Sequence, residues 1–104
     1  MKSVEIDWRG GRVCCWRLDE AMDAKGAPIP EALTEDLAQI QYPSTLIDVG
    51  WYPSGSARAR FVVVVIAGRN WDAPVLRRQA RGRVGLKRAL RECVLVACAT
   101  AGRE

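Results

Sequence analysis

The residues of this chain that could do chemistry are few and stand far apart in the sequence. The chain contains no histidine, which is the commonest general base in enzymes. The carboxylates of Asp7, Asp48 and Asp72 are isolated from one another, and no Gly-rich phosphate-binding motif is present. A paired-acid site would require the fold to bring two of these carboxylates together. We therefore expect a protein without enzymatic activity.

The four cysteines do not have the spacing of a metal site or a disulfide framework. Cys14 and Cys15 are adjacent and would point to opposite faces of a strand, whereas Cys93 and Cys98 would diverge on a helix. There is no C-x-x-C motif. We expect reduced, structural thiols, with no metal and no cofactor.

The charge of the chain is strongly asymmetric. Residues 1–57 contain 5 basic and 9 acidic residues, whereas residues 58–104 contain 11 basic and 3 acidic residues, for a net charge of +4. A polarised surface influences which partners associate and how fast. Two solvated faces that partly complement each other remain an equally good interpretation.

Four tryptophans are plentiful for 104 residues, and two of them frame the strongest strand signal. Trp51 shares a face with Ile47 and Val49, which favours a place in the core. Trp71 stands in a polar loop beside Asp72 and is less easily buried. An aromatic residue at a loop rim is typical of a protein interface.

The elements that must position these residues are organised around residues 46–72. Residues 46–52 alternate, which predicts a strand with Asp48 on the face opposite Ile47. Residues 53–56 have the composition of a turn, and residues 61–66 are so rich in valine that they predict a central strand covered on both faces. We expect residues 46–67 to form the middle hairpin of an antiparallel sheet.

The remaining elements follow from local patterns. Residues 4–8 and 12–16 predict two strands joined by a Gly10-Gly11 hairpin that sets Trp8 opposite Val13. One or two helical turns are predicted over 18–25, capped by Gly26, and a helix is predicted over 30–41 with the apolar stripe Leu33, Leu37 and Ile40. An edge strand is predicted over 75–81. A closing helix is predicted over 86–99, with the apolar face Leu86, Leu90, Cys93, Val94 and Ala97. The prediction is one α+β domain over 1–104, with an antiparallel sheet of about five strands, two main helices, mainly on one face, and the order ββ(α)αβββα.

The runs PSTLIDVGWYP at 43–53 and RFVVVVIAGRNWDAP at 60–74 resemble small bacterial immunity proteins of polymorphic toxin systems, including those of contact-dependent growth inhibition. The resemblance covers roughly residues 27–100. It implies a cytoplasmic domain that neutralises a co-encoded toxin by tight binding. The implied toxin is a nuclease such as a tRNase.

A nuclease that grips phosphates has a basic cleft, so its inhibitor is expected to offer acidic groups. The net charge of +4 departs from that expectation, unless the basic half faces away from the partner. The residues expected to bind such a partner are Glu31, Glu35, Asp36, Asp48, Tyr52, Trp71 and Asp72.

Two other functions stay open. The predicted order of elements over 30–100 is that of double-stranded RNA binding domains, which makes an RNA- or DNA-binding module the alternative. Its phosphate contacts would be Arg77, Arg78, Arg81, Lys87, Arg88 and Arg91. A homo-oligomer joined through the outer strands is the third reading.

Neither a membrane span nor secretion is expected. The longest apolar stretch, residues 61–67, is too short to cross a bilayer. Glu5 and Asp7 interrupt any signal-peptide pattern, so we expect a cytoplasmic site of action.

Overall fold

Five antiparallel strands form one sheet in the computed structural model, which describes residues 1–53 and 57–101 and all their side chains except that of Ala101. The strands lie across the sheet in chain order as β1 (Arg12–Trp16), β2 (Ala38–Gln41), β3 (Thr45–Tyr52), β4 (Arg60–Ala67) and β5 (Leu76–Ala80). The described residues also form a short helix α1 (Leu18–Ala21), a long helix α2 (Arg83–Ala101) and 3-10 turns at Ser3–Glu5 and Pro30–Ala32. The predicted α+β class with a five-stranded antiparallel sheet is confirmed.

The central hairpin is confirmed. β3 and β4 pair along their full length, from Thr45 opposite Ala67 to Tyr52 opposite Arg60. The predicted turn over 53–56 falls largely on residues 54–56, which lie outside the described residues. β3 is the middle strand of the sheet, so the residues it carries lie far from both edges.

The hydrophobic core lies between α2 and one face of the sheet. Ile47, Val63 and Val65 of the sheet are fully buried, as are Leu86 and Leu90 of α2. Burying a side chain of this size stabilises the fold by about 1.5–3 kcal/mol. The predicted apolar face of the closing helix is confirmed, since Cys93, Val94 and Ala97 are also buried.

The predicted helix over residues 30–41 is wrong. Only Pro30–Ala32 forms a single 3-10 turn, and Ala38–Gln41 is strand β2, inserted between β1 and β3. Ala38 and Ile40 are fully buried and alternate with the more exposed Gln39 and Gln41, which is the period of a strand. The helical spacing of Leu33, Leu37 and Ile40 identified core residues but the wrong element.

The predicted N-terminal strand over residues 4–8 is also wrong. Ser3–Glu5 is a 3-10 turn, and β2 occupies the place beside β1, so Val13 lies opposite Ile40 rather than Trp8. A tight turn does form one residue earlier than expected. Its central residues, Arg9 and Gly10, have positive φ angles of 51° and 90°, and Gly11 N donates to the Trp8 carbonyl at 3.1 Å.

The C-terminal elements follow the predictions closely. β5 is an edge strand, and the closing helix begins at Arg83, a few residues earlier than expected. Arg78 of β5 binds Glu92 of α2 at 2.8 Å, which places Arg78 on the helix-covered face of the sheet. No helix within the described ranges is both long and apolar enough to cross a membrane.

Candidate functional site

The face of the sheet opposite α2 carries the candidate site, and we call it the open face. Side chains alternate along a strand, so the neighbours of the core residues Ile47 and Val63 point to this other side. Cross-strand pairing then aligns four residues from four strands in one row. The row is Gln39, Asp48, Val64 and Arg77.

A cavity of about 370 Å³ opens on this face. Its apolar floor is supplied by β4, and aromatic side chains stand at its rim, with Tyr52 37% exposed and Trp71 51% exposed. The lining residues are Asp48, Tyr52, Val62, Val64, Ile66, Trp71, Pro74 and Arg77. We call it the Asp48 cavity.

Asp48 is the buried charge of this site, with only 6% of its surface exposed. Gln39 Nε2 donates to Asp48 Oδ1 at 3.1 Å. Burial raises the pKa of Asp48, the hydrogen bond from Gln39 lowers it, and the nearby carboxylate of Asp36 raises it further. Among the described residues, no Lys or Arg forms an ion pair with Asp48.

Arg77 lines the same cavity but is engaged elsewhere. With the Gln79 amide oriented so that its oxygen faces the guanidinium, Arg77 Nη1 and Nη2 lie 2.9 and 3.1 Å from that oxygen. Gln79 is two residues along β5 and shares the open face. The charge of Arg77 is therefore held at the β5 side of the cavity, and Asp48 keeps its carboxylate without a cation.

Glycine at position 50 lets the acidic segment before β2 approach the site. A Cβ at Gly50 would meet the Glu35 carbonyl oxygen and would lie 2.5 Å from the Tyr52 ring. Tyr52 Oη donates to the Glu35 carbonyl at 3.4 Å. Burial, together with the carboxylates of Asp48, Glu35 and Asp36, raises the pKa of Tyr52. The acidic groups thus surround one corner of the cavity.

Trp71 is placed by a tight turn after β4. Gly68 and Arg69 have φ angles of 57° and 62°, and Asn70 N donates to the Ala67 carbonyl at 3.1 Å. Residues other than glycine rarely adopt this left-handed backbone conformation, so the turn is strained at Arg69, whereas Gly68 adopts it freely. The following segment returns to the sheet, where Val75 N donates to the Val65 carbonyl at 2.8 Å. Trp71 is thereby carried over the open face.

Three of the predicted partner-binding residues meet in this cavity: Asp48, Tyr52 and Trp71. Glu35 adjoins the cavity, since its carbonyl accepts from Tyr52 Oη, and Asp36 follows it in the chain. The other two predicted residues, Glu31 and Asp72, are exposed and do not line the cavity.

Sequence reasoning missed several members of the site. Gln39 lies within the predicted helix over 30–41, whereas the alternation over residues 38–42 is the signal for a strand. On that strand Gln39 lies opposite Asp48. Val62 and Ile66 were expected to be covered on both faces, yet here they form a cavity floor. Pro74 gave no local signal, since its place depends on how the loop returns to the sheet.

The residues of the predicted nucleic-acid surface do not lie together. Arg77 is on the open face, whereas Arg78 pairs with Glu92 on the helix side. Arg81 and Lys87 line a separate cavity of about 670 Å³ at the start of α2, together with Lys25 and Arg83. Arg88 and Arg91 are exposed on α2.

The carboxylate of Asp7 and the thiol of Cys93 lie away from the Asp48 cavity. The described residues contain no group of three or more His, Cys, Asp or Glu side chains that could hold a metal ion. Asp7 lines a small cavity with Arg91 and Leu95 of α2, on the side of the sheet away from Asp48. Burial raises the pKa of the Cys93 thiol to about 12, which keeps it protonated and unreactive.

Comparison of the chain with protein family models, curated proteins and solved structures finds no match.

Proposed function

We propose that this protein is a non-enzymatic immunity protein, which binds a co-encoded bacterial toxin in the cytoplasm through its open face and thereby neutralises it. The observation that carries the proposal is the Asp48 cavity, in which a buried carboxylate without a cation lies beneath two exposed aromatic rings.

A buried carboxylate without a cation is costly to the free protein. Removing a charge from water is unfavourable unless an opposite charge or several hydrogen bonds replace the lost solvation. Asp48 has one such hydrogen bond within the described part of the chain. A partner that supplies a positive charge would offset this desolvation penalty, and the relief would add to the favourable free energy of binding.

The rim of the cavity has the composition of an interface centre. Tryptophan and tyrosine are enriched among the few residues that contribute most of the binding energy of protein complexes. Trp71 and Tyr52 are both exposed at the rim, and Glu35 and Asp36 add negative charge beside them. Such a surface attracts a basic partner over a distance and aligns it before contact.

The net charge of +4 is compatible with this proposal because four of the cations cluster away from the Asp48 cavity, although Arg77 lines it. Lys25, Arg81, Arg83 and Lys87 line the cavity at the start of α2, the helix that packs on the other face of the sheet. A basic nuclease cleft could therefore approach the open face without meeting that cluster.

The test is binding and rescue with the toxin domain encoded by the neighbouring gene. We expect a stable one-to-one complex and restored growth of cells that express the toxin. Trp71→Ala should weaken binding by about 10- to 100-fold, as is usual for a central aromatic anchor. Leu95→Ala is the matched control, because Leu95 is 53% exposed on α2, away from the open face.

Absence of a complex with the neighbouring toxin would contradict the proposal. An equal loss of affinity in Trp71→Ala and Leu95→Ala would contradict the assignment of the open face.

A nucleic-acid-binding module is the second candidate, favoured by the four cations around the cavity at the start of α2, two of which, Arg83 and Lys87, also pair with Glu5. Double-stranded RNA labelled with a fluorophore tests it by anisotropy. Binding through phosphates would weaken steeply with salt, and Lys25→Ala with Arg81→Ala would reduce the salt slope by about 2. Binding that does not change with salt would rule this candidate out.

A further inference from the structure

Asp48 is the only buried charged residue within the described part of the chain. Its Oδ1 accepts from Gln39, and among the described residues no hydrogen-bond donor or cation engages Oδ2. The side chain lines a cavity of about 370 Å³, which is large enough for one long side chain from another molecule. A carboxylate oxygen that has no donor and lines such a cavity can accept from a cationic side chain of another molecule.

We propose that the Asp48 cavity is a receptor for a single arginine side chain of the partner protein. The inference rests on the proposed function, since it names the chemical group that the open face recognises. The carboxylate of Asp48 accepts from the guanidinium, and the hydrogen bond from Gln39 keeps that carboxylate oriented. A carboxylate has about four lone-pair sites, so the bond from Gln39 leaves room for the two-pronged contact of an arginine.

The walls of the cavity fit an arginine better than a lysine. The floor of Val62, Val64 and Ile66 is apolar and suits the methylene stem of a long cationic side chain. The exposed ring of Trp71 offers a flat face for a planar guanidinium, which stacks on aromatic rings and is more weakly hydrated than an ammonium. A guanidinium therefore pays a smaller desolvation penalty than an ammonium, and it gains a stacking contact with Trp71 besides its contact with Asp48.

Arg77 limits the affinity of this cavity and provides a test of charge. Its guanidinium lines the cavity while it is held by Gln79, so it repels an incoming cation without neutralising Asp48. Removing this charge should strengthen the binding of a cation, whereas it would weaken the binding of an anion.

The experiment titrates the free protein with N-acetyl-arginine amide at low salt and follows the indole N–H signal of Trp71 and the backbone signals of β3 and β4 by NMR. We expect saturable shifts with a dissociation constant of about 1 mM, as is usual for so small a ligand. N-acetyl-citrulline amide, an uncharged molecule of nearly the same shape, should not bind. N-acetyl-lysine amide should bind at least about 3-fold more weakly, because it lacks the planar fork.

Two variants complete the test. Asp48→Asn should lower the affinity for the arginine compound at least about 10-fold while the spectrum stays that of a folded protein, since this substitution removes the charge and one acceptor oxygen but keeps the shape of the side chain. Arg77→Ala should raise the affinity a few-fold. Equal binding of arginine and citrulline, equal binding by Asp48→Asn, or no shift up to about 50 mM ligand would overturn the inference.

The outcome is separable from that of the proposed function, because the compounds are tested without any toxin. Arginine binding without toxin binding would support the arginine receptor and contradict the immunity function. Toxin binding without arginine binding would support the immunity function and contradict the arginine receptor.

Discussion

The buried carboxyl group of Asp48 affects the stability of the free protein. Its pKa is raised by burial, so the folded state favours the protonated form. A raised pKa means that the contribution of this group to stability is fully present below its ordinary pKa of 3.8 and is lost as the pH rises through the folded-state value. At neutral pH the buried charge therefore destabilises the fold.

Asp48→Asn should raise the free energy of unfolding at pH 7 by about 1 kcal/mol, because replacing a buried ion by a neutral group of similar shape removes a desolvation cost. Urea unfolding at pH 7 and near pH 3.5 measures it. The gain should shrink towards zero at the lower pH, where Asp48 itself is protonated. A loss of stability at pH 7 would show that the charge is satisfied in the free protein.

The cysteines differ in their surroundings and should differ in reactivity. Cys93 is fully buried with a pKa of about 12, whereas Cys14 is exposed. In the native protein a thiol reagent such as DTNB should modify Cys14 quickly and leave Cys93 untouched until urea unfolds the chain. Cys14→Ser should abolish the fast phase. Modification of Cys93 at the rate of Cys14 in native buffer would contradict the packing of α2 on the sheet.

At the scale of elements, Gly50 controls how closely the segment before β2 approaches β3. Gly50→Ala would press a methyl group against the Glu35 carbonyl and the Tyr52 ring, so it should lower the free energy of unfolding by about 1–3 kcal/mol. Urea unfolding measures the loss. The double variant Gly50→Ala with Tyr52→Ala relieves only the contact with the ring. It should remain less stable than Tyr52→Ala alone, and equal stability of these two proteins would show that the backbone moves away freely.

The elements that could be predicted from sequence are those whose patterns are self-sufficient. β4 has four consecutive valines within the apolar run 61–67, and α2 has a broad apolar face over more than four turns, so no tertiary contact was needed to identify either. β2 has only four residues, and its alternation is weaker than the helical spacing of Leu33, Leu37 and Ile40. Its strand state is decided by its place between β1 and β3.

The same limit applies to the candidate site. Asp48, Tyr52 and Trp71 could be predicted because each stood out locally, as a charge or an aromatic residue beside a strong strand. Gln39 and Pro74 could not, because they reach Asp48 and Trp71 only through strand pairing and the return of a loop.

At the scale of the whole molecule, the two halves of the chain are joined by an acidic residue near the N-terminus. Glu5 Oε1 accepts from Arg83 Nη2 at 2.6 Å and from Lys87 Nζ at 3.0 Å, and Lys2 N donates to Glu5 Oε2 at 2.7 Å. These bonds lower the pKa of Glu5 from 4.5 to about 2, led by the backbone bond from Lys2. The acidic first half of the chain is thus held against the basic helix of the second.

A lowered pKa makes the stability contributed by Glu5 present above its ordinary value and lost as the pH falls through about 2. Glu5→Gln should therefore be less stable than the natural chain at pH 7, and its free energy of unfolding should fall less steeply between pH 4.5 and pH 2. Thermal unfolding across this range measures both slopes. Glu31→Gln is the control for the loss of one carboxylate, because Glu31 is exposed on a 3-10 turn. Parallel slopes in Glu5→Gln and the natural chain would contradict this expectation. They would mean that the first five residues detach from α2 before the sheet unfolds, so that the ion pairs of Glu5 do not stabilise the core.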